Sequence, residues 1–197
     1  FLDSTDGMTP WTWWPHEEVG HTDESRKEIQ SIFGTQTAFD TPKPVRLLER
    51  VIHIATQPGD LVLDSFAGSA TTGHAVLNLN RKTEQNRRFI LVEVNEYADH
   101  VTAERIRRVA SGYGEGSSAK PALGGGFDYY TVGEPMFLPD ENLNEAVGAE
   151  AIRAYVAYSE GIPTDDQTTA ENPHRPYLLG LNRETAWIFH YESDRAT

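Results

Sequence analysis

Short runs of apolar residues, separated by segments with helical periodicity, are the clearest feature of the chain. Leu61 to Leu63 form one such run, preceded by the turn pair Gly59-Asp60. Residues 89–94 and 127–132 form two further runs that are rich in β-branched and aromatic residues. A short apolar run bounded by turn residues is typical of a buried strand in a parallel sheet. We therefore predict three strands at these positions.

The segments before and between these runs have the periodicity of amphipathic helices. Residues 72–79 and 95–109 follow the first and second strands, and residues 25–33 form a short helix near the start. A further helix opens at Pro44, which fits a first-turn position, and ends at Pro58-Gly59. Strand, helix, strand, helix, strand with short connections predicts an α/β fold with a right-handed, doubly wound parallel sheet.

The part of the chain after the third predicted strand has a different pattern. Residues 144–160 have a helical pattern, and the apolar stretches 177–181 and 185–191 are typical of a β-hairpin. The sequence thus predicts three regions: an irregular arm with a short helix at 1–38, an α/β half-domain at 39–135, and a helix with a β-hairpin at 136–197.

Charge and residue content exclude several classes of function. The 197 residues include 30 Asp and Glu against 17 Lys and Arg, so the net charge of −13 repels nucleic acid from the surface as a whole. Cysteine is absent, which excludes a disulfide framework and favours a cytoplasmic location. No apolar run approaches the length of a membrane span, so we expect no membrane partner. The first residue is Phe1 rather than Met, and we interpret the chain as a piece of a larger protein.

Two clusters near the start of the chain have more than one interpretation. Trp11, Trp13 and Trp14 are typical of a packing anchor for an irregular arm, and a base-stacking platform is the alternative. His16 and His21 resemble the paired histidines of a metallopeptidase helix. They are five positions apart instead of four, however, so they would point to different helix faces. No metal site is predicted.

The loop after the first strand carries the candidate chemistry. Asp64 ends the strand, and small residues from Ala67 to Ala70 lead into the next helix. A ligand can lie against the backbone only where side chains are small, and the first N–H groups of a helix are unpaired, so this order is typical of a nucleotide site. The loop lacks the glycine and lysine pattern of a phosphate cradle, and Asp64 would repel a phosphate. Because Asp64 suits a ligand with a positive charge, the loop favours S-adenosylmethionine over ATP or NAD.

The same loop resembles that of a known enzyme family. Residues 64–73 read DSFAGSATTG and are similar to the S-adenosylmethionine loop of DNA amino-methyltransferases, written D-x-F-x-G-S-G-T-T. Ala70 stands where that family mostly has Gly. If the position requires a positive φ, Ala strains it by roughly 1 kcal/mol or more. If the position requires only a small side chain, Ala is tolerated.

Two further stretches extend the resemblance. Thr41-Pro42-Lys43-Pro44 is similar to a Thr-x-Lys-Pro stretch that opens a helix before the loop in these enzymes; a proline-started helix with nothing bound is the alternative. Glu93 ends the second strand, where a carboxylate can accept both ribose hydroxyls of an adenosine, or merely close the strand. The resemblance implies that these residues surround S-adenosylmethionine: Phe39, Asp40, Thr41, Lys43, Asp64, Phe66, Ala67, Gly68, Ser69, Ala70, Thr71, Thr72, Glu93 and Asn95.

A second motif of the same enzymes is absent from the sequence. That motif is Asp or Asn followed by Pro-Pro and an aromatic residue; its polar groups bind the target amine while the ring stacks on the flipped base. No Pro-Pro occurs in the chain, so we predict no catalytic residue in it. Residues 13–21 and 124–137 resemble the modification subunit of type III restriction-modification systems, which methylates adenine N6.

These resemblances imply a function for the parent protein and an alternative to it. The chain resembles the Rossmann-like, cofactor-binding half of a beta-class DNA adenine-N6 methyltransferase, inactive by itself. The implied partner is DNA, contacted through regions outside this chain, and the family allows a restriction subunit or a second copy of the chain. A non-catalytic interaction module with a degenerate methyltransferase fold is the alternative. An NAD-linked enzyme is disfavoured because the glycine fingerprint is absent.

Overall fold

A pair of parallel strands lies at the centre of the first part of the chain. β1 (Leu61–Asp64) pairs with β2 (Arg88–Leu91), with Leu61 beside Arg88 and Asp64 beside Leu91. This arrangement is seen in a computed structural model that describes residues 11–35, 38–168 and 177–192. The chain divides into two units, residues 1–129 and 130–197.

The helices predicted at 25–33, from Pro44 and at 72–79 are present, whereas the helix predicted at 95–109 is α-helical only from Glu104, and a short helix near the start was not predicted. The helices of the first unit are α1 (His16–Val19), α2 (Thr22–Phe33), α3 (Val45–Ala55), α4 (Thr71–Thr83) and α5 (Glu104–Ser111). Pro44 is the N-cap of α3, one position before the first turn that the sequence predicts for it. α4 makes the crossover that two parallel strands require. A 3₁₀ turn at Glu96–Ala98 and a π-helical turn at Asp99–Ala103 lead into α5.

One face of the strand pair is covered by α3 and α4. Val62 and Phe89 pack against a core made by these helices, namely Val45, Ile52, Ala75, Val76 and Leu79. Side chains alternate along a strand, so Leu63 and Ile90 point to the opposite face, where they are 62% and 47% exposed. Within the described residues, the strand pair is therefore covered on one side only.

A second core cluster joins the loop after β1 to the neighbouring helices. Its buried members come from α2, the loop, α4 and α5: Ile32, Ala70, Leu77, Ile106 and Val109. Gly73 allows α4 to approach closely, because a Cβ there would lie 2.8 Å from Ile106 Cδ1 and 3.0 Å from Leu91 Cδ1. The loop is thus held by packing on its inner side.

The predicted third strand at 127–132 is wrong. This segment has no strand geometry, and Val132 is fully exposed. Phe127 instead packs against the second core cluster, and the rings of Phe127 and Tyr129 lie 5.8 and 5.9 Å from the Arg107 guanidinium. An apolar run predicts burial but not a strand partner, and here the aromatic rings anchor an irregular segment. The described residues contain a parallel pair in place of the predicted three strands.

The second unit contains the predicted helix and hairpin. α6 (Gly148–Ser159) precedes an antiparallel pair, β3 (Leu178–Asn182) and β4 (Thr185–Ile188). A small core of Ala157, Ile162 and Leu179 joins them. Among the described helices of both units, none combines the length and apolar character that a membrane crossing requires.

Fewer of the tryptophans near the start of the chain pack against the protein than the packing-anchor interpretation predicts. Trp14 packs under Arg50, whose guanidinium carbon lies 5.1 Å from the ring centre, and its Nε1 donates to the Trp11 carbonyl. Trp11 and Trp13 are largely exposed. The packing-anchor interpretation therefore applies to Trp14 alone.

Candidate cofactor site

The loop between β1 and α4 and the segment before α3 form the walls of a cavity of about 230 Å³. Its lining comes mostly from the two stretches identified in the sequence: Phe39, Thr41, Lys43, Leu48, Asp64, Phe66, Ala67, Gly68, Ser69, Thr71 and Thr72. Leu48 was not predicted, because its place in the apolar stripe of α3 is typical of a core residue. The fold thus brings residues 39–43 and 64–72 together around one cavity, as the family resemblance implied.

Asp64 shapes the loop from the end of β1. Its Oδ1 accepts a hydrogen bond from the Phe66 N–H at 3.1 Å, and its Oδ2 accepts one from the Thr72 hydroxyl at 2.5 Å. The carboxylate therefore joins the two ends of the loop and also lies in the cavity wall. A negative charge at this point attracts a cationic ligand group.

Two loop residues adopt the left-handed backbone conformation, Gly68 with φ +51° and Ala70 with φ +60°. A Cβ at Gly68 would lie 3.3 Å from Phe39 Cζ, so glycine permits the aromatic wall of the cavity. The positive φ of Ala70 decides between the two possibilities that the sequence allowed: this residue is strained by roughly 1 kcal/mol. Its methyl group is completely buried in the second core cluster, which offsets part of that strain.

The prediction that Glu93 ends the second strand is wrong, because β2 ends at Leu91; Glu93 lies two residues later and connects this segment to the same loop. Its Oε2 accepts a hydrogen bond from the Gly68 N–H at 2.8 Å, and its Oε1 accepts from the N–H groups of Val94 and Asn95 and from the Asn95 side chain. Burial acts to raise the pKa of Glu93, but the hydrogen bonds from Asn95, Gly68 and Val94 outweigh it and hold that pKa below its usual value. The carboxylate is therefore ionised at neutral pH.

Four predicted residues lie outside the cavity lining: Asp40, Ala70, Glu93 and Asn95. Asp40 is exposed, and its carbonyl accepts from Arg26 Nε at 3.1 Å. Asn95 Nδ2 donates to the Tyr97 hydroxyl at 3.1 Å, and the Tyr97 ring meets the edge of Phe39 with centroids 5.4 Å apart. Glu93 and Asn95 thus reach the cavity through neighbouring groups, and their contacts with a cofactor stay predictions.

The chemistry of these groups fits S-adenosylmethionine. An ionised carboxylate offers about four acceptor positions, and among the described contacts Glu93 Oε2 has one donor, so it has capacity for a hydroxyl group. Lys43 and Asp64 offer opposite charges to the carboxylate and ammonium of an amino acid. The cavity is smaller than the roughly 300–1,000 Å³ typical of ligand pockets. S-adenosylmethionine would therefore extend beyond the cavity, over the exposed ring of Phe66 at its rim.

Comparison with known proteins identifies the family. Residues 3–104, just over half of the chain, match the family model described as DNA methylase. The chain belongs to the N6/N4 DNA methylase family. This family uses S-adenosylmethionine and implies a Rossmann-like methyltransferase fold. The second unit of this DNA methylase chain lies outside the matched residues.

Several relatives are similar to the DNA methylase chain over part of its length. The Mod subunit of the type III restriction-modification enzyme StyLTI from Salmonella typhimurium is 38% identical over 48% of this chain. The type II methyltransferase M.KpnI from Klebsiella pneumoniae is 41% identical over 38% of it. The DNA adenine methyltransferase YhdJ from Escherichia coli is 41% identical over 35% of it. These alignments span 17%, 18% and 25% of the relatives' own lengths. The predicted similarity to type III modification subunits is thus confirmed over part of the chain.

Proposed function

We propose that this chain is the cofactor-binding part of a DNA adenine-N6 methyltransferase, with S-adenosylmethionine held at the cavity beside β1. The observation that carries the proposal is the hydrogen bond from Gly68 to Glu93, which joins the small-residue loop after β1 to the segment after β2. When bound, the cofactor supplies an electrophilic methyl group on a sulfonium. The chain itself contributes binding and orientation, which supply much of the rate in such transfers.

Each wall of the cavity has a role in this proposal. Glu93 accepts the ribose hydroxyls through the free capacity of its Oε2. Phe39, Thr41 and Lys43 lie beside the methionine end, where the Lys43 ammonium pairs with the cofactor's carboxylate. Asp64 attracts the cofactor's ammonium group. Gly68 and its small neighbours let the ligand approach the backbone.

Adenine N6 as the acceptor is supported by the named relatives. YhdJ is a DNA adenine methyltransferase, and the StyLTI relative is a Mod subunit of a type III restriction-modification enzyme. For the parent of this chain we propose DNA adenine as the substrate and a restriction subunit as a partner. The net charge of −13 makes this chain a poor DNA-binding surface, so the DNA contacts belong to other parts of the enzyme.

The exposed face of the strand pair supports a larger parent domain. Parallel sheets are normally covered on both faces, whereas Leu63 and Ile90 are exposed opposite α3 and α4. The alignments span a minor part of each relative, and the sequence lacks the Pro-Pro motif that binds the target amine. We assign this motif, and helices that cover the exposed face, to the remainder of the parent enzyme.

Methylation by the parent protein tests this proposal. The reading frame would be expressed with its upstream region, incubated with DNA and S-adenosylmethionine, and the product nucleosides separated by mass. We expect N6-methyladenine from the parent protein and no methylated base from the 197-residue chain. An upstream region without an Asp/Asn-Pro-Pro-aromatic motif, or a product methylated on cytosine, would overturn the proposal.

One observation favours a second function, a non-catalytic interaction module. Ala70 occupies a left-handed position where the family mostly has glycine, as decay of a cofactor loop would produce. Such a module would bind no S-adenosylmethionine, and substitution of Glu93 would change nothing in a calorimetric titration with it. A cofactor-binding chain differs from it on both points.

A further inference from the structure

A fully buried arginine lies directly behind the cofactor loop. Arg105 of α5 donates through Nη1 to the Ser69 carbonyl, the Ser69 hydroxyl and the Thr71 hydroxyl, at 3.1, 3.1 and 3.0 Å. Its Nη2 donates to Glu28 Oε2 of α2 at 3.0 Å and to His74 Nδ1 of α4 at 3.1 Å. One guanidinium thus connects the loop to two helices.

Stability alone does not explain a charge at this position. Replacement of a buried ion pair by apolar side chains of similar volume is often neutral or stabilising, because desolvation offsets the attraction. Arg105 also keeps its Nε buried without a hydrogen-bond partner within the described part of the chain. All the described hydrogen bonds of Nη1 go to Ser69 and Thr71 of the loop, while Nη2 is held by Glu28 and His74 of the neighbouring helices. The contacts of Nη1 indicate that the guanidinium orients the loop.

A second group on the same helical segment binds the preceding loop residue. The Thr102 hydroxyl donates to the Gly68 carbonyl at 2.5 Å. Thr102 belongs to the π-helical turn Asp99–Ala103, which buries the three successive residues Val101 to Ala103. Such turns are rare and occur often at functional sites. The Gly68 carbonyl is therefore bound by the π-helical turn and the Ser69 carbonyl by α5, both on the side of the loop away from the cavity.

The loop needs such support because its backbone is strained. Gly68 and Ala70 both have positive φ, and residues in sparsely populated conformations persist only where the surrounding structure fixes them. Thr102 and Arg105 bind the Gly68 and Ser69 carbonyls on one side of the loop. The Gly68 N–H points the other way and donates to Glu93.

We propose that Arg105 and Thr102 are positioning residues that hold residues 68–71 in the conformation that receives the cofactor. They act through the loop and do not line the cavity. This inference rests on the proposed function of the cavity. It adds two residues outside the sequence motifs as determinants of cofactor affinity.

Cofactor titration and hydrogen exchange on matched variants test the inference. Arg105→Met and Thr102→Val remove the donors, and Arg153→Met is the control, because Arg153 is a buried arginine of the other unit that binds the Thr168 and Leu178 carbonyls. Loss of a hydrogen bond from a charged donor predicts that Arg105→Met weakens S-adenosylmethionine binding about tenfold or more. Loss of a neutral donor in Thr102→Val predicts about fivefold weaker binding. Arg153→Met should bind as the unchanged chain does.

Amide hydrogen exchange of residues 66–72 supplies the readout that separates orientation from general stability. We expect faster exchange in this segment for Arg105→Met and Thr102→Val, with protection of α3 unchanged. Unchanged loop exchange and affinity in a folded Arg105→Met chain would overturn the inference; if that variant does not fold, Thr102→Val decides by the same two measurements. If the unchanged chain binds no cofactor, the proposed function fails, and loop exchange alone decides whether these residues fix the loop.

Discussion

The Gly68 N–H donates to the Glu93 carboxylate at 2.8 Å, which connects the loop after β1 to the segment after β2. The same carboxylate accepts the N–H groups of Val94 and Asn95 at 3.0 Å each. Glu93 therefore organises the backbone on both sides of the strand ends. This side chain thus fixes the connection between the loop and the segment after β2.

Gly68→Ala should damage both stability and cofactor binding. At φ +51° an alanine is strained by about 1–2 kcal/mol, and its Cβ would lie 3.3 Å from the Phe39 ring and displace this wall of the cavity. Chemical denaturation and titration with S-adenosylmethionine measure the two effects. Gly34→Ala is the control, since Gly34 has φ +73° and open space around it: we expect a similar stability loss and normal affinity. Normal affinity in Gly68→Ala would contradict the proposed position of the cofactor.

Ala70→Gly should change the free energy of unfolding by less than about 1 kcal/mol. Glycine relieves the strain at φ +60°, but it removes a buried methyl group worth about 0.8 kcal/mol. Glu84→Gly is the matched control, because Glu84 has φ +51° at the C-cap of α4 and is exposed, so relief of strain should stabilise that variant by about 0.5–1 kcal/mol. Equal stabilisation of the two variants would show that the Ala70 methyl group contributes nothing.

His74 should make the chain less stable in mild acid. Burial, and then the charge of Arg105, lowers the pKa of His74 from 6.5 to about 3 in the folded chain. A folded pKa below the unfolded value means that the unfolded chain binds the proton first. The contribution of neutral His74 to the free energy of unfolding is therefore fully present above pH 6.5. It decreases as pH falls from 6.5 towards 3, by up to about 1.4 kcal/mol per pH unit.

Urea denaturation between pH 7 and 5.5 measures this effect. His74→Asn keeps an acceptor for Arg105 and should flatten the dependence, while exposed His53→Asn should leave it unchanged. Burial raises the pKa of Glu28 above its usual value, so protonation of Glu28 acts in the opposite direction and favours the folded chain as pH decreases. An unchanged slope in His74→Asn would contradict the assignment to His74.

Asp64→Asn should weaken cofactor binding while leaving the fold in place. Asparagine keeps an oxygen for the Phe66 N–H, but it removes the charge that attracts an ammonium group. We expect about tenfold weaker binding of S-adenosylmethionine in titration calorimetry. Asp60→Asn is the control, because Asp60 precedes β1 at the other end and accepts a hydrogen bond from the Gln57 N–H. Equal affinity of Asp64→Asn and the unchanged chain would exclude the electrostatic role of Asp64.

Local sequence patterns predicted the elements whose periodicity is undisturbed. β1 and α3 are bounded by turn residues and have regular apolar spacing, so both could be read directly from the sequence. The segment 127–132 has the composition of a strand, but strand formation depends on a partner that local pattern does not report. Its aromatic rings contact Arg107 instead.

The support of the loop could not be predicted from the sequence. Arg105 occurs in the stretch ERIRRVAS, where a charged residue on a helix is usually exposed, and its partner Glu28 lies 77 positions earlier. The sequence also left two possibilities for Ala70, which only the backbone φ separates. Both features depend on tertiary contacts between elements that are distant in the chain.

Calorimetric titration of the chain with S-adenosylmethionine tests the central claim most directly. Glu93→Gln replaces one carboxylate oxygen by an NH2 group, so it cannot accept both the Gly68 N–H and the Val94 and Asn95 N–H groups, and it weakens acceptance of the ribose hydroxyls. Exposed Glu96→Gln is the matched control. We predict saturable binding by the unchanged chain and by Glu96→Gln, and binding about tenfold weaker or more for Glu93→Gln. Absence of binding heat in the unchanged chain, or equal affinity in Glu93→Gln, would contradict a cofactor site at the ends of these two strands.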